Sequence, residues 1–175
     1  MPSTAHTPGV QTTERDQIGL AHALFAEREV LNAPETQAAP PRPVQQIGVI
    51  GGGTMGAGIT VSLLDAGLSV TMVERDDASL ALGQCRVAQV YDGLIRKGRL
   101  SPEGKGDRLA RLTGATTYDA LKEADLVIEA VFEDMAVKKA VFAELDRVCQ
   151  PGAVLATNTS YLDLDEIARL KRAQR

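Results

Sequence analysis

From Gln46 onward the chain alternates short apolar runs with longer stretches whose apolar residues recur every three or four positions. Runs of the first kind read as buried strands, and stretches of the second kind as helices with one inward face. Ile47 to Ile50 is the first strand. Ile59, Leu63 and Leu64 mark the helix after it, which Ala66-Gly67 closes. Ser69 to Val73 is a second strand. Asp77 to Lys97 predicts one long helix, with Leu80, Leu82, Val87, Val90, Leu94 and Ile95 as its apolar positions and Gly98 as its stop. Ser101-Pro102-Glu103 has the form of a helix cap and first turn. Leu112 to Thr117 predicts a short strand, Tyr118 to Ala124 a short helix, and Asp125 to Val131 a buried strand. Asp134 to Val148 predicts a helix with Val137, Val141, Phe142, Leu145 and Val148 facing inward. Pro151-Gly152 turns into a strand from Ala153 to Ala156, and a last helix starts at Leu164. Such alternation needs crossover connections, so the sheet is expected to be parallel.

The first 43 residues differ in kind. Met1 to Thr13 is rich in Thr, Pro, Ser and Gly and is expected to be disordered. Glu14 to Leu31 predicts a helix with Ile18, Leu20, Ala21, Leu24 and Phe25 on one side, a surface suited to docking. Ala33-Pro34 and the run Ala39 to Pro43 predict a stiff, extended linker. The expected organisation is therefore residues 1–43 as tail, helix and linker, and residues 44–175 as one α/β domain.

Composition narrows the function. A formal charge of −4 and aromatics at 3% with no Trp argue against a nucleic-acid binder. No apolar run is long enough to span a membrane, and no metal-ligand spacing is present. Cys85 and Cys149 fall within helical patterns and read as buried thiols in a reducing compartment, which makes the cytoplasm the expected location.

The chemistry concentrates in the first strand-to-helix turn. Gly51-Gly52-Gly53-Thr54-Met55-Gly56 is a G-x-G-x-x-G fingerprint set between an apolar strand and a helix. The first glycine allows the tight turn, the second lets backbone approach a pyrophosphate, and the third lets the helix pack closely. Glu74 ends the second strand about 20 residues later, where a dinucleotide fold places the acid for the adenosine ribose hydroxyls. A carboxylate there repels a 2′-phosphate, so the expected cofactor is NAD, although Arg75 beside it is able to hold a phosphate. The fold class is thus a Rossmann-type, doubly wound, mostly parallel α/β sheet. Two further polar sets close strands of the same sheet: Glu129 with Glu133, and Thr157-Asn158-Thr159-Ser160. Ligands bind outside the carboxyl ends of such strands. Ser160 or Asp163 is equally suited to a plain helix cap.

The runs Val49 to Ile59, Ala124 to Lys139 and Ala156 to Leu162 resemble the NAD-binding domain of 3-hydroxyacyl-CoA dehydrogenases. The resemblance covers residues 46 to 168. The segment Ala23 to Glu29 before the Pro-rich stretch also resembles the junction to the hydratase half in multifunctional fatty-acid-oxidation proteins. The resemblance implies that Gly51, Gly52, Gly53, Thr54, Met55 and Gly56 hold the NAD pyrophosphate and Glu74 the adenosine ribose. It implies that Glu133, Lys138 and Ser160 lie near the nicotinamide half, and that Lys97 contacts the coenzyme A part of a 3-hydroxyacyl-CoA substrate. Ser160 would hydrogen-bond the reacting oxygen and Asn158 would orient an amide. Thr157 stands where the family usually has Ser, and Tyr161 where it often has a second Ser.

The family's general base is a His beyond the T-N-T-S segment. The histidines of this chain are His6 and His22, both ahead of the nucleotide fold. The expectation is therefore a cofactor-binding half that binds NAD without turning over. A C-terminal helical domain or a hydratase half on another chain would be its partner. Two other readings fit the glycine turn: a dehydrogenase of the 3-hydroxyisobutyrate or 6-phosphogluconate type, and a non-catalytic module that senses NAD.

Overall fold

The computed structural model describes residues 14–32 and 42–168. The expected N-terminal disorder, the linker prolines up to Pro41, His6 and the final basic residues lie outside the described residues. Two units make up the chain, Met1–Arg42 and Pro43–Arg175. The first contains helix α1, Glu14–Leu31, whose Ala21, Leu24 and Phe25 are exposed.

The second unit runs β1 (Gln46–Ile50), α2 (Thr54–Asp65), β2 (Ser69–Val73), α3 (Asp77–Arg96), α4 (Pro102–Leu109), β3 (Leu112–Ala115), a 3-10 turn (Tyr118–Leu121), β4 (Leu126–Glu129), α5 (Met135–Val148), β5 (Val154–Thr157) and α6 (Leu164–Ala168). All the strand pairs are parallel, in the order β3-β2-β1-β4-β5. This is the Rossmann-type sheet expected from the alternating pattern. The strand order reverses at β1 and β4, the switch point where such sheets hold ligands. Register lines the carboxyl ends into a row: Ala115, Val73, Ile50, Glu129 and Thr157 are successive partners.

Successive strand residues point to opposite faces, and the core divides accordingly. Val49, Val70 and Met72 pack with Ala57, Leu64, Val87 and Tyr91 of α2 and α3. Ile50, Val73 and Val127 pack on the other face with Leu121, Val141 and Leu145. Tyr91 is fully buried, and its hydroxyl donates to the Val61 carbonyl at 3.3 Å. Burial pushes the Tyr91 phenol up to about 12.

Several sequence expectations need correcting. Leu82 and Val90 of α3 are exposed, and Tyr91 takes the inward position. In α5 the buried stripe is Lys138, Val141, Phe142 and Leu145, a helical repeat that places Val137 one step off the inward face. Cys85 is exposed rather than buried, and Cys149 is half-buried. The strand expected over Asp125 to Val131 is confined to Leu126–Glu129; Asp125 stands at its entry, its amide donating to the Gln46 carbonyl at 2.9 Å and its carboxylate accepting the Gln45 and Gln46 amides at 2.8 and 3.0 Å.

The turn after β1 is tight because three backbones meet there. Gly51 has φ +94°, a conformation that L side chains avoid. A Cβ on Gly83 of α3 would lie 2.9 Å from the Gly52 Cα and 2.8 Å from the Met72 sulfur. Alanine in a helix interior ordinarily gains about 1 kcal/mol over glycine, whereas overpacking a core costs about 1–3 kcal/mol. Here overpacking wins. Gly83→Ala is expected to lower the urea midpoint at unchanged slope, and a raised midpoint would contradict the close approach.

Candidate functional site

The residues just past the row of strand ends enclose a cleft of about 1110 Å³. Its walls include Gly51, Gly53, Thr54, Met55, Glu74, Arg75 and Arg86 at one end, and Glu133, Asn158, Ser160 and Tyr161 at the other. The glycine turn, Glu74, Glu133, Asn158 and Ser160, predicted from separate motifs, therefore share one site.

At the first end the start of α2 is built unlike the others. Asp76, Ser101 and Asp134 each accept a backbone N–H to cap α3, α4 and α5. The Gly53 cap of α2 supplies no side-chain acceptor, and the first turn holds no acidic residue. The positive dipole end of its first turn therefore has neither a capping side chain nor an acidic residue of its own. A Cβ on Gly53 would meet no protein atom within 4 Å, whereas one on Gly56 would lie 1.7 Å from the Gly51 carbonyl oxygen. Gly56 is required by the fold. Gly53 is not, so its bare backbone suits something from outside. An uncapped helix start, open at its cap residue, fits a diphosphate.

Glu74 accepts the Gly52 amide at 2.7 Å through one oxygen and the Arg75 amide at 3.2 Å through the other. The Arg75 guanidinium turns to Asp76 and the Ser79 hydroxyl, at 3.1 and 3.3 Å, so a 2′-phosphate would compete for it with a carboxylate. Arg86 was not singled out in the sequence. It reaches from α3 to donate to the Gly52 carbonyl at 2.9 Å and lines the cleft. Its place one turn beyond Leu82, on the helix that crosses the glycine turn, is the signal that would have found it.

At the second end Glu133 organises the loop after β5. Its Oε1 accepts the Thr159 hydroxyl and, at 3.1 Å, the Ser160 amide, while its Oε2 pairs with Lys138 at 3.2 Å. Asn158 and Ser160 are exposed in the cleft. Lys138 lies outside the cleft lining. Its side chain is fully buried, and the ammonium sits 2.8 and 2.9 Å from the two Glu129 oxygens. Lys97 caps the far end of α3, about 30 Å along the helix axis from its start, and does not line the cleft. Among the described residues no group of three or more His, Cys, Asp or Glu is placed to hold a metal ion. None of the helices there is long and apolar enough to cross a membrane.

The Thr159 hydroxyl, then the Ser160 amide and Lys138, hold the Glu133 carboxyl below the ordinary carboxylate range, against a desolvation that raises it. A value lowered by folding means stabilisation that is complete above the unfolded carboxyl's value of about 4.3. It is lost as pH falls through the lower folded value. The Ser160 amide is expected to lose hydrogen-exchange protection as acid protonates Glu133, while β1 and β2 keep theirs. Equal Ser160 protection in Glu133→Ala and the unsubstituted chain at neutral pH would contradict the tether.

The family described as the NAD-binding domain of 3-hydroxyacyl-CoA dehydrogenase matches residues 46–175. The peroxisomal bifunctional enzyme of Homo sapiens is 42% identical over 154 residues, which are 85% of this chain and 21% of that protein. The peroxisomal fatty acid beta-oxidation multifunctional protein of Oryza sativa is 37% identical over 157 residues, 89% of this chain and 22% of that one. The chain thus spans about a fifth of the length of these relatives. The crystal structure of (S)-3-hydroxybutyryl-CoA dehydrogenase from Ralstonia eutropha superposes with a TM-score of 0.70 at 36% identity, over 72% of this chain and 44% of that one.

Proposed function

The chain belongs to the family of 3-hydroxyacyl-CoA dehydrogenase NAD-binding domains, and from that membership we propose the part each residue plays in the complete enzyme. The observation that carries the reading is the uncapped start of α2 beside Gly53, open where every other long helix of the unit is closed by a side chain. Gly53, Thr54, Met55 and Gly56 present backbone N–H groups to the NAD pyrophosphate, while the Gly51 and Gly52 amides, already donated to the Val73 carbonyl and the Glu74 carboxylate, shape the turn beneath it. Glu74 takes the adenosine ribose hydroxyls, and its charge disfavours NADP. NAD, when bound, supplies the acceptor for a hydride from the 3-hydroxyl carbon of a 3-hydroxyacyl-CoA. Ser160, held by its amide on Glu133, donates to the reacting oxygen as it becomes a carbonyl. Asn158 orients the amide of the nicotinamide end. Glu133 sits in the cleft wall near that half, and Lys138 acts on it from below rather than by touching the cofactor.

Lys97 is exposed at the end of α3, a position suited to the distal coenzyme A part of a long substrate. We also assign residues 1–43 to tail, helix and linker and residues 44–175 to the NAD-binding domain. A helical substrate domain or a hydratase half is the proposed protein partner. Phe132 and Tyr161, 79% and 75% exposed at the cleft mouth, offer it apolar surface. For the compartment, the unpaired thiols of Cys85 and Cys149 suit the cytoplasm. The relatives named above are peroxisomal. Fractionation with compartment markers separates the two.

Calorimetric titration tests the cofactor reading. NADH is expected to bind at least about tenfold more tightly than NADPH. Glu74→Gln, which keeps an acceptor for the Gly52 amide, is expected to erase most of that difference. Equal affinities in the unsubstituted chain would remove the ribose argument. In a second test, Gly53→Val is expected to abolish NADH binding with the thermal midpoint nearly unchanged, because a Cβ there points into open space. Undiminished binding by that variant would contradict the pyrophosphate assignment.

A further inference from the structure

Glu129 is the last residue of β4 and, like Lys138, has no exposed surface. It stands in the strand-end row between Ile50 and Thr157, and is not part of the cleft wall. Its Oε1 accepts the Val131 amide at 2.7 Å and the Lys138 ammonium at 2.8 Å. Its Oε2 accepts the same ammonium at 2.9 Å and the Thr157 hydroxyl at 2.5 Å. Four contacts from three donor groups use the full acceptor capacity of a carboxylate. Lys138 continues to Glu133, and Glu133 to Thr159 and Ser160. One unbroken chain of charged and polar contacts therefore joins β4, α5, the loop after β4 and the loop after β5.

Stability alone does not account for this arrangement. A buried ion pair seldom repays the dehydration of its charges, and an apolar pair of similar volume is often as stable. Here two carboxylates share one ammonium, which is less favourable still. The network does give fixed geometry: each member is directional, and its end is the Ser160 backbone. On the NAD reading above, we infer that Glu129 is a positioning residue that sets the nicotinamide end of the cleft through Lys138 and Thr157, without touching cofactor or substrate. The adenosine end, built from the glycine turn and Glu74, shares none of these bonds.

That separation supplies the test. NADH and ADP-ribose, which lacks the nicotinamide ring, are titrated into the unsubstituted chain and into Glu129→Gln. The amide of the glutamine would put a donor against Lys138 or Thr157, each already a donor. The expected result is an NADH Kd raised about tenfold with the ADP-ribose Kd within about twofold. Hydrogen exchange of residues 158–162 should accelerate while β1 and β2 stay protected. An equal loss for both ligands, or no loss for either, would overturn the inference. Thr157→Val strands no charge and keeps the test decisive if Glu129→Gln fails to fold. It is expected to weaken NADH alone by about threefold, with Thr157→Ser restoring the affinity. Unchanged NADH binding by Thr157→Val would overturn the inference as well. Failure of the unsubstituted chain to bind NADH would strike the NAD reading instead, so the two failures are distinguishable.

Discussion

No methyl group fits between the Gly56 Cα and the Gly51 carbonyl oxygen, since a Cβ there would lie 1.7 Å away. That contact lets α2 begin directly above the end of β1. Gly51, at φ +94°, turns the chain, and Gly83 lets α3 cross the same turn at backbone distance. With these approaches made, α2 starts at the strand-end row with its first amides facing the cleft. Larger side chains at Gly51, Gly56 or Gly83 would push the helices off the sheet and separate Glu74 from the turn it braces. The position of the cleft depends on this crossing.

The two ends of the cleft are held by different physics. Sterics and a helix dipole shape the glycine-turn end, with one carboxylate braced on a backbone amide. A buried network of charge-assisted hydrogen bonds shapes the other end, running from Glu129 to Ser160. Backbone approaches leave the first end rigid. The second depends on each link from Glu129 to Ser160. Such a division suits a domain that grips one half of a ligand firmly and aligns the other half for chemistry.

Much of this was legible in the sequence, because local patterns generate it. The strand, glycine turn, helix and terminal acid are contiguous or regularly spaced, and each strand-end motif falls at the same edge once the sheet is parallel. What was missed comes from contacts between distant elements. Gly83 looks like an ordinary helix glycine until α3 is laid across Gly52. Arg86 is one charge among many on an exposed helix. Lys138 was read as a cleft residue and Val137 as core, yet the phase of Val141 and Leu145 already places Lys138 inward. Two carboxylates brought from elsewhere in the fold made burial possible.

The central claim is that the uncapped start of α2 receives the pyrophosphate while the Glu133-held loop receives the nicotinamide end. Amide chemical-shift mapping of the 175-residue chain during NADH titration tests it most directly. The account predicts the largest shifts at Gly53, Thr54, Met55 and Gly56, with a second group at Asn158 and Ser160 and little change along α4. Saturable binding that moved neither group, or shifts confined to other surfaces, would contradict it.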